Sequence, residues 1–221
     1  MGDVWPLYLE HALAEDKEMV QAWNTDLDSI LIFAALFSAV LTTFIIESYQ
    51  DLQPDPTTML LQSILDELQV NRNTSTNISP GGPFQVTPSA VRVNVYWFSS
   101  LILSLATALI AILAKQWVNY LLAGLSPVPS ARARHRQYRI DGMHKWRLPT
   151  LLSFLPILLH IALLLFFASL VDFVWDLNTT LATFCAFLVC TACLAYVTAN
   201  ILAYVYPDCP FKTIYARRDW S

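Results

Sequence analysis

"LPTLLSFLPILLHIALLLFFASL", residues 148–170, is a run of hydrocarbon side chains broken by Pro149, Pro156 and one titratable group, His160. A helix rising ~1.5 Å per residue needs ~20 such residues to cross ~30 Å of hydrocarbon. Similar runs recur along the chain and predict four spans, Ile30–Ile46, Val95–Ala114, Leu151–Val171 and Leu181–Ala199. The 221 residues are 56% hydrophobic and 14% charged, against roughly 25% charged residues in a soluble domain. The chain therefore reads as an integral membrane protein. Lipid cannot satisfy exposed backbone polar groups, and the runs lack the alternation of barrel strands, so the spans are predicted as helices.

Lysine and arginine set the orientation, because they concentrate in short cytoplasmic loops. The segment at residues 126–148 carries Arg132, Arg134, Arg136, Arg139, Lys145 and Arg147, and the tail at 207–221 adds Lys212, Arg217 and Arg218. The other side offers Arg72 and Arg92. Four spans then leave both termini in the cytoplasm, in the endomembrane system or the plasma membrane. The glycosylation sequons at Asn73, Asn77 and Asn178 fall in the two loops assigned outside, which agrees. Residues 1–28 are acidic and amphipathic, with Lys17 as their one Lys or Arg, unlike a cleaved signal peptide, so the first span is expected to be retained. Cys185, Cys190 and Cys193 lie in the fourth span and Cys209 just beyond it. The outer loop at 47–94 thus has no cysteine for a disulfide framework, which excludes tetraspanin-, claudin-, connexin- and innexin-like folds.

Between residues 3 and 24, Trp5, Tyr8, Ala12, Met19 and Trp23 recur at helical spacing among acidic residues. A helix lying on anionic lipid would be basic. The acidic segment, with Glu15, Asp16 and Glu18, is expected to dock on Arg132, Arg134, Arg136 and Arg139 of the basic loop, in the same chain or a neighbour. The alternative is two unrelated solvated faces. In the outer loop, Asp55 and Pro56 start a short helix whose stripe is Leu60, Leu61, Ile64, Leu65 and Leu68, followed by a turn-rich linker. The second span extends into a longer helix from about Pro88 to Gly124, capped by Thr87. Lys115 snorkels at its inner boundary beside Trp117, and Trp175 anchors the outer end of the third span.

Several blocks together, "WNTDLDSILIFAALFSAVLTTFIIESYQDLQPDP", "VNVYWFSSLILSLATALIAILAKQWVNYL", "GMHKWRLP", "LPILLHIALLLFFASLVDFVWDLN" and "CPFK", resemble a fungal, mainly basidiomycete, transmembrane family catalogued as a domain of unknown function. Ile214 departs from the proline expected soon after "CPFK". The resemblance implies the fold and a fungal source, and no activity. It also implies a longer parent chain, of which this would be the N-terminal part.

Catalytic and metal signals are weak. The chain has five glycines and no Gly-x-Ser-x-Gly, His-Glu-x-x-His or phosphate-cradling loop. Cys190 and Cys193 form a lone Cys-x-x-Cys in an apolar helix, and His135 and His144 lie more than one turn apart, so no metal or cofactor is assigned. Serine and threonine in the spans read as contacts between closely packed helices. His160 is the one ionisable group deep in a span, which makes it the intramembrane candidate. It lies one turn beyond Pro156, which frees the carbonyl of Leu152, and it reads as a hydrogen-bonded clamp between helices. The expected protein is all-α, a single domain of four spans with a cytoplasmic amphipathic N-terminal helix and a short outer helix. It is expected to be non-enzymatic and to assemble with itself in the bilayer as a channel-like or scaffolding module, with no nucleic-acid partner and no assignable small-molecule ligand. The alternatives are an intramembrane enzyme or lipid-handling protein using His160, and an anchor or sensor for a cytoplasmic domain.

Overall fold

The structure, a computed structural model, describes residues 4–54, 56–72, 86–124 and 127–205. Among these residues all regular structure is helical: α1 (Val4–Tyr49), a 3-10 turn (Gln50–Leu52), α2 (Pro56–Arg72), α3 (Pro88–Tyr120), α4 (Pro129–Lys145), α5 (Leu148–Leu177) and α6 (Thr179–Val205). Four of the helices, α1, α3, α5 and α6, are long and apolar enough to cross a membrane. Each of these extends beyond the span expected for it, because polar ends and caps continue the helix past the hydrocarbon.

The acidic segment and the first span are one helix. Nothing between Pro6, in the first turn of α1, and Pro54 can break it, since residues 7–53 contain neither glycine nor proline. Its 46 residues reach roughly 69 Å at 1.5 Å per residue, about twice the hydrocarbon thickness. The segment read as a basic loop is also largely helical. Pro129 occupies the first turn of α4, and the helix stops at Trp146. The turn into α5 places Arg147 at φ 50°, a left-handed conformation uncommon outside glycine.

The core is a three-helix bundle of α1, α3 and α5. Along α3 the residues facing its partners are Val93, Trp97, Ser100, Ser104, Thr107, Ala111, Ala114 and Val118, all buried. Their spacing alternates four and three, the seam of helices that cross at a shallow angle. Leu155, Leu159, Ala162, Phe166 and Ser169 continue the same spacing on α5. The seam is small and polar in the middle because lipid is as apolar as leucine. Close backbone approach and hydroxyl bonds, rather than expulsion of apolar groups from water, hold such helices together. Ser100 donates to the Ala162 carbonyl at 2.6 Å, and Ser104 lies 3.4 Å from the Ala34 carbonyl and 3.2 Å from the Ser38 hydroxyl.

Phe37, Leu41, Ile45, Trp97, Ala162 and Phe166 fill the bundle toward the α1–α2 connector. Leu27, Ala111, Ala114 and Leu155 fill its middle, and Val20, Val118, Met143 and Leu148 its α4 end. At the connector end the Arg92 guanidinium grips Asp172 with two bonds of 2.7 and 2.8 Å, tying α3 to α5. Asn94 and Ser48 tie α3 to α1 there, with Ser48 donating at 2.9 Å. α6 lies against α5 and is the least covered of the four long helices.

Candidate functional site

Beyond the bundle, α1 continues as a rod and α4 packs beside it, forming a two-helix stalk. Both helices run toward the bundle: Arg136 meets α1 at Ala12 and Asp16, while Met143, nearer the end of α4, packs in the cluster that includes Val20. The residues of α1 that face the seam, Leu9, Ala12, Asp16, Val20 and Leu27, are all buried, so one carboxylate sits inside an apolar stripe. Such a group is costly to bury unless it is paired. Arg136 supplies the pair: Nε donates to Asp16 Oδ2 at 2.5 Å and Nη2 to Oδ1 at 2.8 Å, with both side chains about nine-tenths covered. The planar fork of arginine suits this two-bond geometry, which lysine cannot reproduce.

One turn along α4, Arg139 closes the end of α3. A helix leaves its last carbonyls without amide donors, and α3 ends in a turn that reaches Gly124 at φ +61°, the left-handed conformation glycine tolerates best. Arg139 Nη1 donates to the carbonyls of Tyr120 at 2.7 Å and Ala123 at 2.5 Å, and its guanidinium lies 4.3 Å from the centre of the Tyr120 ring. Opposite charge also favours a cation at this helix end. Nearer the bundle, Asn24 donates to Asn119 at 2.8 Å. Lys115, read as a snorkelling anchor, is paired with Asp28 of α1.

The acidic and basic residues of the stalk thus divide in two. Asp16, Arg136 and Arg139 are engaged within the chain, and Arg132 donates to the Pro127 carbonyl. Among the described residues Glu15, Glu18 and Arg134 make no ion pair. They are exposed, as are Glu10 on α1 and Lys145 on α4. The outward face of α1 is mainly acidic, with Lys17 among its glutamates, and that of α4 carries Arg134 and Lys145 with Asp141 beside them and Tyr138, 78% exposed, in the middle.

His160 sits on α5 with Nδ1 2.5 Å from the carbonyl of Pro156 on its own helix. A carbonyl can only accept, so Nδ1 carries the hydrogen. The partner is the Pro156 carbonyl, not the one that Pro156 frees at Leu152. The contact across helices is a ring stack on Tyr196 of α6, with centroids 4.8 Å apart. Along α6, Thr183, Thr191 and Thr198 each donate to the carbonyl four residues earlier. Trp117 and Trp175 are about half exposed on the apolar belt. Asn178 occupies the single residue between α5 and α6, and its Oδ1 accepts from the amides of Thr180 and Leu181, capping α6. Asn73, Asn77 and Cys209 lie outside the described residues, as does the whole tail at 207–221. Among the described residues no three His, Cys, Asp or Glu converge as ligands for a metal.

Sequence reasoning missed Asp28, Tyr196, the Arg92–Asp172 clamp and the capping by Arg139. Of these, Arg139 alone had a local signal, four arginines in one helix beside a glycine-ended one.

Residues 5–176 match the family described as "Family of unknown function (DUF6535)". The match spans α1 to the last turn of α5, the three-helix bundle and the stalk, and stops before α6. Comparison with curated proteins and with solved structures gives no match.

Proposed function

We propose that this chain, which belongs to the Family of unknown function (DUF6535) by its match over residues 5–176, is a non-enzymatic membrane module that assembles with copies of itself through its stalk. The observation that supports this most directly is the division of charge on the stalk. With Asp16, Arg136 and Arg139 engaged in the internal pair and cap, the exposed face of α1 keeps Glu10, Glu15 and Glu18 against the single base Lys17, and that of α4 keeps Arg134 and Lys145 against the single acid Asp141, around Tyr138. The two faces point away from each other on one copy and complement each other on two. A contact between unlike faces is heterologous, so it closes into a ring or continues as an array. The stalk would lie in the cytoplasm together with both termini, in the endomembrane system or the plasma membrane, because the basic α4 marks that side.

Charge exchange tests the contact. Arg134→Glu with Lys145→Glu should weaken assembly in lipid, and Glu15→Lys with Glu18→Lys should do the same. Mixing the two altered chains should restore it through the matched faces. Two reversals that leave assembly unchanged would refute the contact.

An intramembrane enzyme or lipid-handling role centred on His160 is the second reading. Its support is the His160 imidazole in the hydrocarbon region. Against it stand the hydrogen bond to Pro156 and the stack on Tyr196, which occupy the ring with structural partners.

A further inference from the structure

We infer that α2 lies in the lipid–water interface, with its aliphatic stripe sunk into the neutral headgroup boundary of the leaflet opposite the stalk. Leu60, Leu61, Ile64, Leu65 and Leu68 are each at least half exposed, so no described part of the chain covers them. At 100° per residue these five positions share one side of the helix, and Gln62 and Ser63 fall on the other. Five aliphatic side chains on one face are stable only against something apolar.

The position of α2 says what that is. The apolar belt of α1 stays exposed through Val40, Ile46 and Tyr49, as lipid-facing side chains do. Directly after Tyr49 the chain winds into the 3-10 turn, where the Gln53 amide donates to the Gln50 carbonyl at 3.1 Å and its side chain to the Tyr49 hydroxyl at 2.6 Å. This short connector packs on α1 and α3 beside the ends of the spans, so α2 starts at the bilayer boundary. Its exposed stripe is the next apolar surface along the chain after that belt.

Charge selects the kind of lipid. Interfacial helices that bind anionic membranes carry lysine and arginine on the polar face. Between Pro56 and Arg72 the charged residues are Asp66, Glu67 and Arg72, two acids and one base. Apolar burial, not attraction to anionic headgroups, is the driving force, which fits a neutral phosphatidylcholine surface.

Spin labelling of the full chain in phosphatidylcholine vesicles tests this, with the native cysteines replaced by alanine and single sites at Leu61→Cys, Ile64→Cys, Leu68→Cys, Gln62→Cys and Ser63→Cys. The labels at 61, 64 and 68 should collide readily with oxygen and poorly with a water-soluble nickel chelate, and those at 62 and 63 the reverse. The pattern should persist when the protein is diluted into more lipid. High nickel accessibility at all five sites would place α2 in water and overturn the inference. Low accessibility to both probes at 61, 64 and 68 that rises on dilution would also overturn it, by assigning the stripe to a second copy of the chain.

Discussion

Asp16 of α1 and Arg136 of α4 form a two-bond ion pair, at 2.5 and 2.8 Å, inside the seam of the stalk. It joins residues 120 positions apart and fixes which faces of the two helices point outward. The proposed assembly contact depends on that register.

Breaking a buried pair leaves one charge uncompensated. Arg136→Ala or Asp16→Ala should therefore lower unfolding stability by about 3–5 kcal/mol, whereas Asp16→Leu combined with Arg136→Met should recover most of the loss. Unfolding in mixed micelles measures this. A double variant as unstable as the single ones would mean that the pair is not what aligns the stalk.

Arg139 bridges several terminal carbonyls of α3 and stacks on Tyr120, and a lysine ammonium cannot do both. Arg139→Lys should cost about 1.5–3 kcal/mol, the range for hydrogen bonds to a charged group. Protease sensitivity around residues 121–124 should rise with it. A fully stable lysine variant would reduce the contact to charge alone.

The small seam of α3 requires close backbone approach. Ser104→Ala removes the hydroxyl that reaches Ala34 and Ser38 and should cost under about 1 kcal/mol. Ser104→Leu adds bulk to a closed contact and should cost about 1–3 kcal/mol. Equal effects of the two changes would contradict close packing of α1 and α3 there.

His160→Phe keeps a ring over Tyr196 and loses the bond to Pro156, whereas His160→Ala loses both. The alanine variant should loosen α6 by a further 0.5–1.5 kcal/mol or so, the range for an aromatic pair, read as faster hydrogen exchange in α6. Loss of a cellular activity in His160→Phe, with assembly and stability intact, would favour the intramembrane enzyme reading instead.

Much of the fold was legible before the structure. The four spans follow from run length alone, and the start of α3 follows from Thr87 and Pro88, which cap it as expected, Thr87 accepting from the Ala90 amide. The continuity of α1 was also there to read, in the absence of any glycine or proline between Pro6 and Pro54. α4 was harder: its residues are mostly charged and polar, and Pro129 is its one start signal. The inward faces of the spans could not come from hydrophobicity, because a lipid-facing leucine and a buried one look alike in sequence. The spacing of Ser100, Ser104, Thr107, Ala111 and Ala114 carried that information instead. Arg92 and Asp172, 80 positions apart, have no local signal at all, so only the bundle geometry joins them.

The proposed stalk contact would bring copies of the chain together. Native mass measurement of the unmodified chain in lipid discs at low salt tests it most directly, because screening weakens contacts between exposed charges. Several copies per particle are expected, falling toward one as salt rises or when Arg134→Glu and Lys145→Glu are introduced. A strict monomer at every salt concentration would contradict it.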